Sequence, residues 1–279
     1  MKDILVLCDS NDSNNDRVET ALAYATAFDS NITGVHLIPY PVIPVYGGMY
    51  PDSASYSAIF QMDKAEEHAK EIEKDFIQLA NDNVLPYDWK VIDGLDLDFV
   101  IENARYSDMV VAPAVYSHYG DQGSHHLCNY FATHLGRPLL ITPDLNKVFN
   151  LPNRIIIAWN ESHEAARAVH DALPILKRAE HIQIVCVSKR NEIEKEKENI
   201  IRGELLQRHL KHHDIQADVF APDKLAKGVG HTILEYAFKY NAELIVMGAY
   251  GHSRFKEIIL GGTTKHIIEN STLPLFVSN

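Results

Sequence analysis

The 279-residue chain has few cysteines: Cys8, Cys128 and Cys186, odd in number and scattered. No disulfide framework follows from them, and a reducing cytoplasm is the expected compartment. No apolar run approaches the ~20 residues needed to cross a bilayer. The start, Met1-Lys2-Asp3-Ile4, has an acidic residue and only a short apolar strand, so it does not read as a signal peptide. No membrane partner is expected. Basic residues are scarce in the first part. Residues 1–150 hold 9 Lys and Arg against 22 Asp and Glu, a net of −13, and the remainder nets +1. That field repels polyanions and argues against a nucleic-acid partner. The second half can host an anionic small molecule without the same penalty. Catalytic signatures are also missing: no nucleophile elbow, Walker lysine, paired-cysteine motif or HExxH. Ser253 beside His252 is no triad, because adjacency in sequence does not create hydrogen-bond geometry. No catalytic residue is assigned.

What is present is an order of elements that occurs twice. Ile4 to Cys8 is an apolar run without alternation, as in a strand covered on both faces, and it ends in the polar turn Asp9-Ser10-Asn11. Helix is expected over 16–28, strand over 32–38, helix over 61–81, strand over 89–92, helix over 97–105, strand over 109–112, helix over 128–135 and strand over 139–141. Between Ile38 and Gln61 lies a stretch rich in proline and tyrosine, Pro39 to Phe60, expected as a loop packed on its own aromatics or a lid. Residues 144–153 read as a linker. The pattern then restarts with Arg154 to Ala158, and Asn160 stands where Asp9 stood. Helix 164–176, strand 182–187, helix 189–212, strand 217–220, helix 230–240, strand 244–247 and strand 275–277 follow. Two halves with the same order, each closing on a proline before its last strand, signify an internal duplication. The expected fold class is α/β: two tandem open parallel five-stranded sheets with helices on both faces, one in residues 1–146 and one in 151–279.

One stretch carries a chemical signal. The apolar run Leu244 to Met247 ends at Gly248, and Gly251 follows three residues later. Nine residues on, Gly261-Gly262-Thr263-Thr264 opens a segment, Lys265 to Asn270, that reads as helix. Glycines let backbone approach a ligand closely. Free N–H groups at a helix start suit a phosphate. His252, Arg254, Lys256 and Lys265 lie within or just after the motif, as phosphate-neutralising groups or as a solvated helix face.

These residues resemble the universal stress protein family in a tandem two-domain form. Its nucleotide motif is Gly, two residues, Gly, nine residues, Gly, then Ser or Thr. Here the glycines are Gly248, Gly251 and Gly261, after a fourth strand and before the closing Pro274-Leu275-Phe276-Val277. The resemblance implies a Rossmann-like sheet binding ATP, with or without magnesium, or a related adenine nucleotide, at the carboxyl ends of its strands. Position by position, it places Ala158 and Asn160 near base and phosphates, and Val187 at the adenine. Met247, Gly248 and Gly251 would line ribose and phosphates, with His252 and Arg254 beside them. Gly261, Gly262, Thr263 and Thr264 would cradle the triphosphate. Two positions depart from the pattern: Asn160 replaces the usual Asp, and Gly262 replaces the usual hydroxyl residue. Backbone donors survive both, so binding is expected without efficient turnover.

In the first half Ala112-Pro113-Ala114-Val115-Tyr116 replaces Met247-Gly248-Ala249-Tyr250-Gly251. Proline lacks a donor and fixes its backbone, so no ATP is expected there. The leading expectation is therefore a cytoplasmic stress-response protein with a regulatory nucleotide site in its second domain. Two alternatives stay open: slow ATP hydrolysis at that site, and an interaction module whose first domain binds another ligand or a metal. His118, Asp121, His125, His126 and Cys128, with His134 beyond, are the metal candidates, but they lack a repeated ligand spacing and no metal site is assigned. The fifth strands, Leu139 to Thr142 and Leu275 to Ser278, are expected to pair within the chain as a pseudo-dimer, because exposed sheet edges seek partners. A further homodimer is left open.

Overall fold

The computed structural model describes residues 1–38, 51–93, 97–116, 126–187, 193–223, 225–249 and 262–279. The first half runs β1 (Asp3–Cys8), α1 (Asn14–Phe28), β2 (Asn31–Ile38), α2 (Pro51–Asp82), β3 (Tyr87–Asp93), α3 (Leu97–Ala104), β4 (Met109–Pro113), α4 (His126–His134) and β5 (Leu139–Thr142). The second repeats it as β6 (Arg154–Ala158), α5 (His163–Leu176), β7 (His181–Val185), α6 (Ile193–Lys211), β8 (Asp218–Phe220), α7 (Val229–Lys239), β9 (Leu244–Gly248), α8 (Gly262–Asn270) and β10 (Leu275–Ser278).

All ten strands form one sheet, in the order β3-β2-β1-β4-β5-β10-β9-β6-β7-β8. Within each half every pair is parallel. The halves meet where β5 and β10 pair antiparallel, with Leu139 opposite Val277, Leu140 opposite Phe276 and Ile141 opposite Leu275. Because that seam is antiparallel, the carboxyl ends of the two sets of strands lie at opposite ends of the sheet.

Strand side chains alternate between the two faces, so each apolar run feeds two cores. Ile4, Val6, Ile155 and Ile157 pack with Val18 and Leu22 of α1, Phe76 of α2, Val169 of α5 and Leu206 of α6. Leu5, Leu7 and Ile156 pack with Val100 of α3, Phe131 of α4, Ile233 of α7 and Ile267 of α8. Helices therefore cover both faces, which is why the strands lack polar alternation.

The stretch expected as a loop or lid is divided. Residues 39–50 lie outside the described residues, and from Pro51 onward the chain is already α2. Proline is tolerated in the first helical turn, where its missing donor costs nothing, so the composition misled the loop reading. The segment between β5 and β6 has no regular structure but is packed down. Phe149 is buried and its N–H donates to Thr20 Oγ1 at 3.0 Å. The Asp144 carboxylate accepts from Asn11 Nδ2 at 2.9 Å and from the Ser13 hydroxyl.

Candidate functional site

In each half the strand order reverses between the first and fourth strands, β1 with β4 and β6 with β9. Open parallel sheets bind ligands in the crevice at the carboxyl ends flanking such a reversal. The two crevices are built from corresponding residues, and they differ.

In the second half β6 and β9 lie side by side with Ala158 opposite Met247. Met247 is buried and Ala158 half-buried. Asn160 is exposed just beyond β6, and its Oδ1 accepts the Ser162 N–H at 3.1 Å. Glu161 between them has φ +58°, an unusual left-handed conformation for glutamate, and its carboxylate meets Arg202 Nε at 2.9 Å. Ser162 then caps α5, its Oγ accepting the Ala165 N–H at 3.1 Å. Gly248 lets this first turn sit on the end of β9: a Cβ there would lie 2.4 Å from Ala165 N and 2.6 Å from Glu164 C. The Asn160 turn, the start of α5 and the end of β9 thus form one close-packed unit.

Val187 lies two residues past β7, half-buried and packed on the α7/α8 face. Gly262 opens α8, exposed, with nothing within 4 Å of where a Cβ would stand. Thr263 is half-buried and Thr264 buried, both in the first turn of α8 rather than before it. That turn packs on the start of α7, where a Cβ on Gly230 would stand 3.2 Å from Thr263 O. Gly251, His252, Arg254 and Gly261 lie outside the described residues. Sequence reasoning passed over Glu164, Ala165 and Gly230, since nothing in residue type marks the backbone that a glycine leaves room for. Ser162 did carry a signal, as a serine just before an amphipathic helix.

In the first half the corresponding positions are closed by the chain's own side chains. Arg17, whose counterpart on α5 is the small Ala168, is 2% exposed. Its Nε donates to Leu7 O at 2.8 Å, and its terminal NH2 nitrogen donates to Asn14 Oδ1 at 2.9 Å and Asp9 Oδ1 at 2.5 Å. Asp9, itself 1% exposed, is thereby committed to a buried ion pair. Tyr116, which corresponds in sequence to Gly251 of the second half, is 2% exposed. Its hydroxyl donates to Cys8 O at 3.3 Å and accepts the Leu37 N–H at 3.4 Å. His36 Nδ1 also donates to Cys8 O, at 2.8 Å. Burial pushes the Tyr116 phenol well above its ordinary range, with the Asp9 carboxylate adding to the effect. The backbone groups at the ends of β1 and β2 are thus paired internally.

The metal candidates do not converge among the described residues. Cys128 is buried, its thiol donating to Pro113 O and pushed up to about 12 by burial. His134 lies at the exposed end of α4, its Nδ1 at 2.9 Å from Tyr130 O. His118, Asp121 and His125 lie outside the described residues, as does the His126 side chain. No group of three or more potential ligands occurs among the described residues.

The family model for the universal stress protein family matches residues 152–279. The second half is a universal stress protein domain. A universal stress protein from Archaeoglobus fulgidus DSM 4304 matches the whole length: 18% identity, 99% of this chain, 98% of that chain and a TM-score of 0.74. A functionally unknown protein from Pseudomonas aeruginosa PAO1 matches at 13% identity over 100% of this chain and 92% of its own, with a TM-score of 0.61. At such identities the likeness is one of fold, and it extends the universal stress protein fold through the first half. No curated protein matches the chain. Among the described residues, no helix is long and apolar enough to cross a membrane.

Proposed function

We propose that the second half binds an adenine nucleotide, ATP with or without magnesium, in the crevice between β6 and β9, as a regulatory site rather than a catalytic one. The observation that carries this reading is the contrast between the halves. Where the first crevice is filled by Arg17 and Tyr116, the second has Ala168 and Gly251 at the matching positions. Gly248 with the α5 start and Gly262 with the α8 start supply close backbone and helix N-terminal donors, which suit phosphate. In this reading Val187 meets the adenine, Ala158 and Met247 floor the site, and Gly251, His252, Arg254, Gly261, Gly262, Thr263 and Thr264 surround the phosphates.

The same residues support binding without efficient turnover. Asn160 offers a neutral amide oxygen that already accepts from Ser162, a poorer magnesium ligand than a carboxylate. Among the residues assigned to the site only His252 is an ordinary base, and none is assigned to activate water. Isothermal titration of the full chain with ATP tests the reading. One nucleotide per chain is expected, with no phosphate release on the time scale of the titration. Absence of binding, or two sites per chain, would overturn it.

A further inference from the structure

The strand β3 ends the sheet on the side of the first half. Its inner edge is bonded to β2, where Pro86 O accepts the Ile32 N–H at 3.1 Å. Backbone groups alternate sides along a strand. Pro86, Asp88, Lys90 and Ile92 therefore turn theirs to β2, and Tyr87, Trp89 and Val91 turn theirs away. Among the described residues nothing bonds those outward N–H and C=O groups. The side chains also leave the edge clear. Gly34 of β2 makes room for the Trp89 ring: a Cβ there would stand 2.6 Å from Trp89 Cε3. The ring packs on Phe76 of α2, with centroids 5.2 Å apart, so it lies back over the sheet. On the other face Lys90 Nζ donates to Asn103 Oδ1 of α3 at 2.7 Å. Among the described residues Lys90 has no carboxylate partner and Asp88 no cation. The far edge of the sheet is guarded instead. There β8 has three residues, and Pro222 follows where β3 has Ile92. Short strands and prolines are the usual protection against edge pairing.

We propose that the β3 edge is an interface with a second copy of this chain, the two edges pairing antiparallel about a two-fold axis at Trp89. Charge selects both the partner and the register. Pairing about Trp89 sets Trp89 against Trp89, and Tyr87 against Val91 of the second copy. These become hydrogen-bonded pairs that exchange both N–H···O bonds. The same register sets Asp88 against Lys90 of the second copy, and Lys90 against its Asp88. Those are non-hydrogen-bonded pairs, where Cα atoms approach to ~4.5 Å and side chains lie closest. An axis at Lys90 would set lysine against lysine, and one at Asp88 aspartate against aspartate. With the axis at Tyr87 or Val91 the opposite charges no longer meet. Because the contact is isologous and the β8 edge is guarded, association stops at a dimer. Residues 1–150 carry a net charge of −13, so two first halves repel. At physiological salt that repulsion is screened beyond ~8 Å, whereas the Asp88–Lys90 contacts lie inside that distance. The contact is one strand long, at the small end of specific interfaces, so the dimer is weak. None of this rests on the nucleotide reading.

Analytical ultracentrifugation of the full chain tests this, without nucleotide, at physiological salt and from micromolar to submillimolar concentration. A reversible monomer–dimer equilibrium is expected. Lys90→Asp sets aspartate against aspartate on both sides of the axis and is expected to weaken the dimer about tenfold or more. Asp88→Lys does the same with lysine against lysine. Asp88→Lys combined with Lys90→Asp reinstates opposite charges in this register, and is expected to return dimerisation to within about threefold of wild type. Val91→Pro removes an outward N–H and no bond to β2, at an exposed position. It is expected to abolish the dimer while circular dichroism shows the fold retained. A monomer at every concentration, a dimer indifferent to Lys90→Asp or to Val91→Pro, or a double variant as weak as the single ones would each overturn the proposal.

Discussion

Two glycines of the proposed nucleotide site should respond to the same substitution in opposite ways. In Gly248→Ala the new methyl would stand 2.4 Å from Ala165 N and 2.6 Å from Glu164 C. Both are backbone atoms in the first turn of α5 and cannot rotate aside. Overpacking typically costs ~1–3 kcal/mol, and an unyielding neighbour places this case in the upper part of the range. At ~2–4 °C per kcal/mol for a chain of this size, the midpoint should fall by about 4–12 °C. Gly262→Ala meets nothing within 4 Å and needs no left-handed backbone, so restricting the unfolded chain should stabilise by ~0.4–1 kcal/mol. Its methyl, however, stands at the start of α8 where phosphate is proposed. Loss of one charge-assisted hydrogen bond, ~1.5–3 kcal/mol, should weaken ATP about ten- to hundredfold. Thermal melts with and without ATP, together with calorimetric affinities, separate the two effects. An unchanged midpoint in Gly248→Ala would refute the packing argument, and wild-type ATP affinity in Gly262→Ala would refute the phosphate placement.

Other consequences are equally direct. Asp9→Ala leaves Arg17 charged, buried and without its carboxylate, so urea unfolding should show a loss of ~3–5 kcal/mol; a loss under ~1 kcal/mol would contradict a closed first crevice, and ATP affinity should not change. Asn160→Asp places a carboxylate where the proposed site would hold phosphates, so the ratio of ATP affinities in magnesium and in chelator should widen relative to wild type; an unaltered ratio would overturn the placement of Asn160 in that site. Burial pushes the Cys8 and Cys128 thiols up to about 12, from 9.0 ordinarily. Above pH 9 the unfolded chain releases these protons while the folded chain holds them to about pH 12. The unfolded state then binds fewer protons, and stability falls as pH rises through that window. Urea midpoints at pH 8 and pH 10 should show the drop. Iodoacetamide at pH 8 should label all three thiols in urea and label the native protein only slowly.

Much of the architecture was readable because burial on both faces erases polar alternation. Ile4 to Cys8 and Arg154 to Ala158 announced covered strands, and their recurrence announced the duplication. The start of α2 at Pro51 is not legible in the residues, because a stretch rich in proline and tyrosine has the composition of a loop. The replacement of Gly251 by Tyr116 was visible in the residues, but its inward turn onto Cys8 O and the Leu37 N–H was not, since that needs the relative placement of β1, β2 and β4. Arg17 was missed for a related reason. Arginine on an amphipathic helix is ordinarily solvated, and only the small Ala168 at the matching position hinted that the space beneath could be filled.

The seam between β5 and β10 has a consequence for how this molecule behaves at low concentration. An uncovered fifth strand would leave a row of backbone groups seeking a mate. Here the mate is tethered to the same chain, so its effective concentration is set by the linker and not by how much protein a cell contains. Dilution cannot uncover that edge. The first half, its own crevice filled by Arg17 and Tyr116, serves as a permanent, built-in neighbour to the half for which a nucleotide site is proposed.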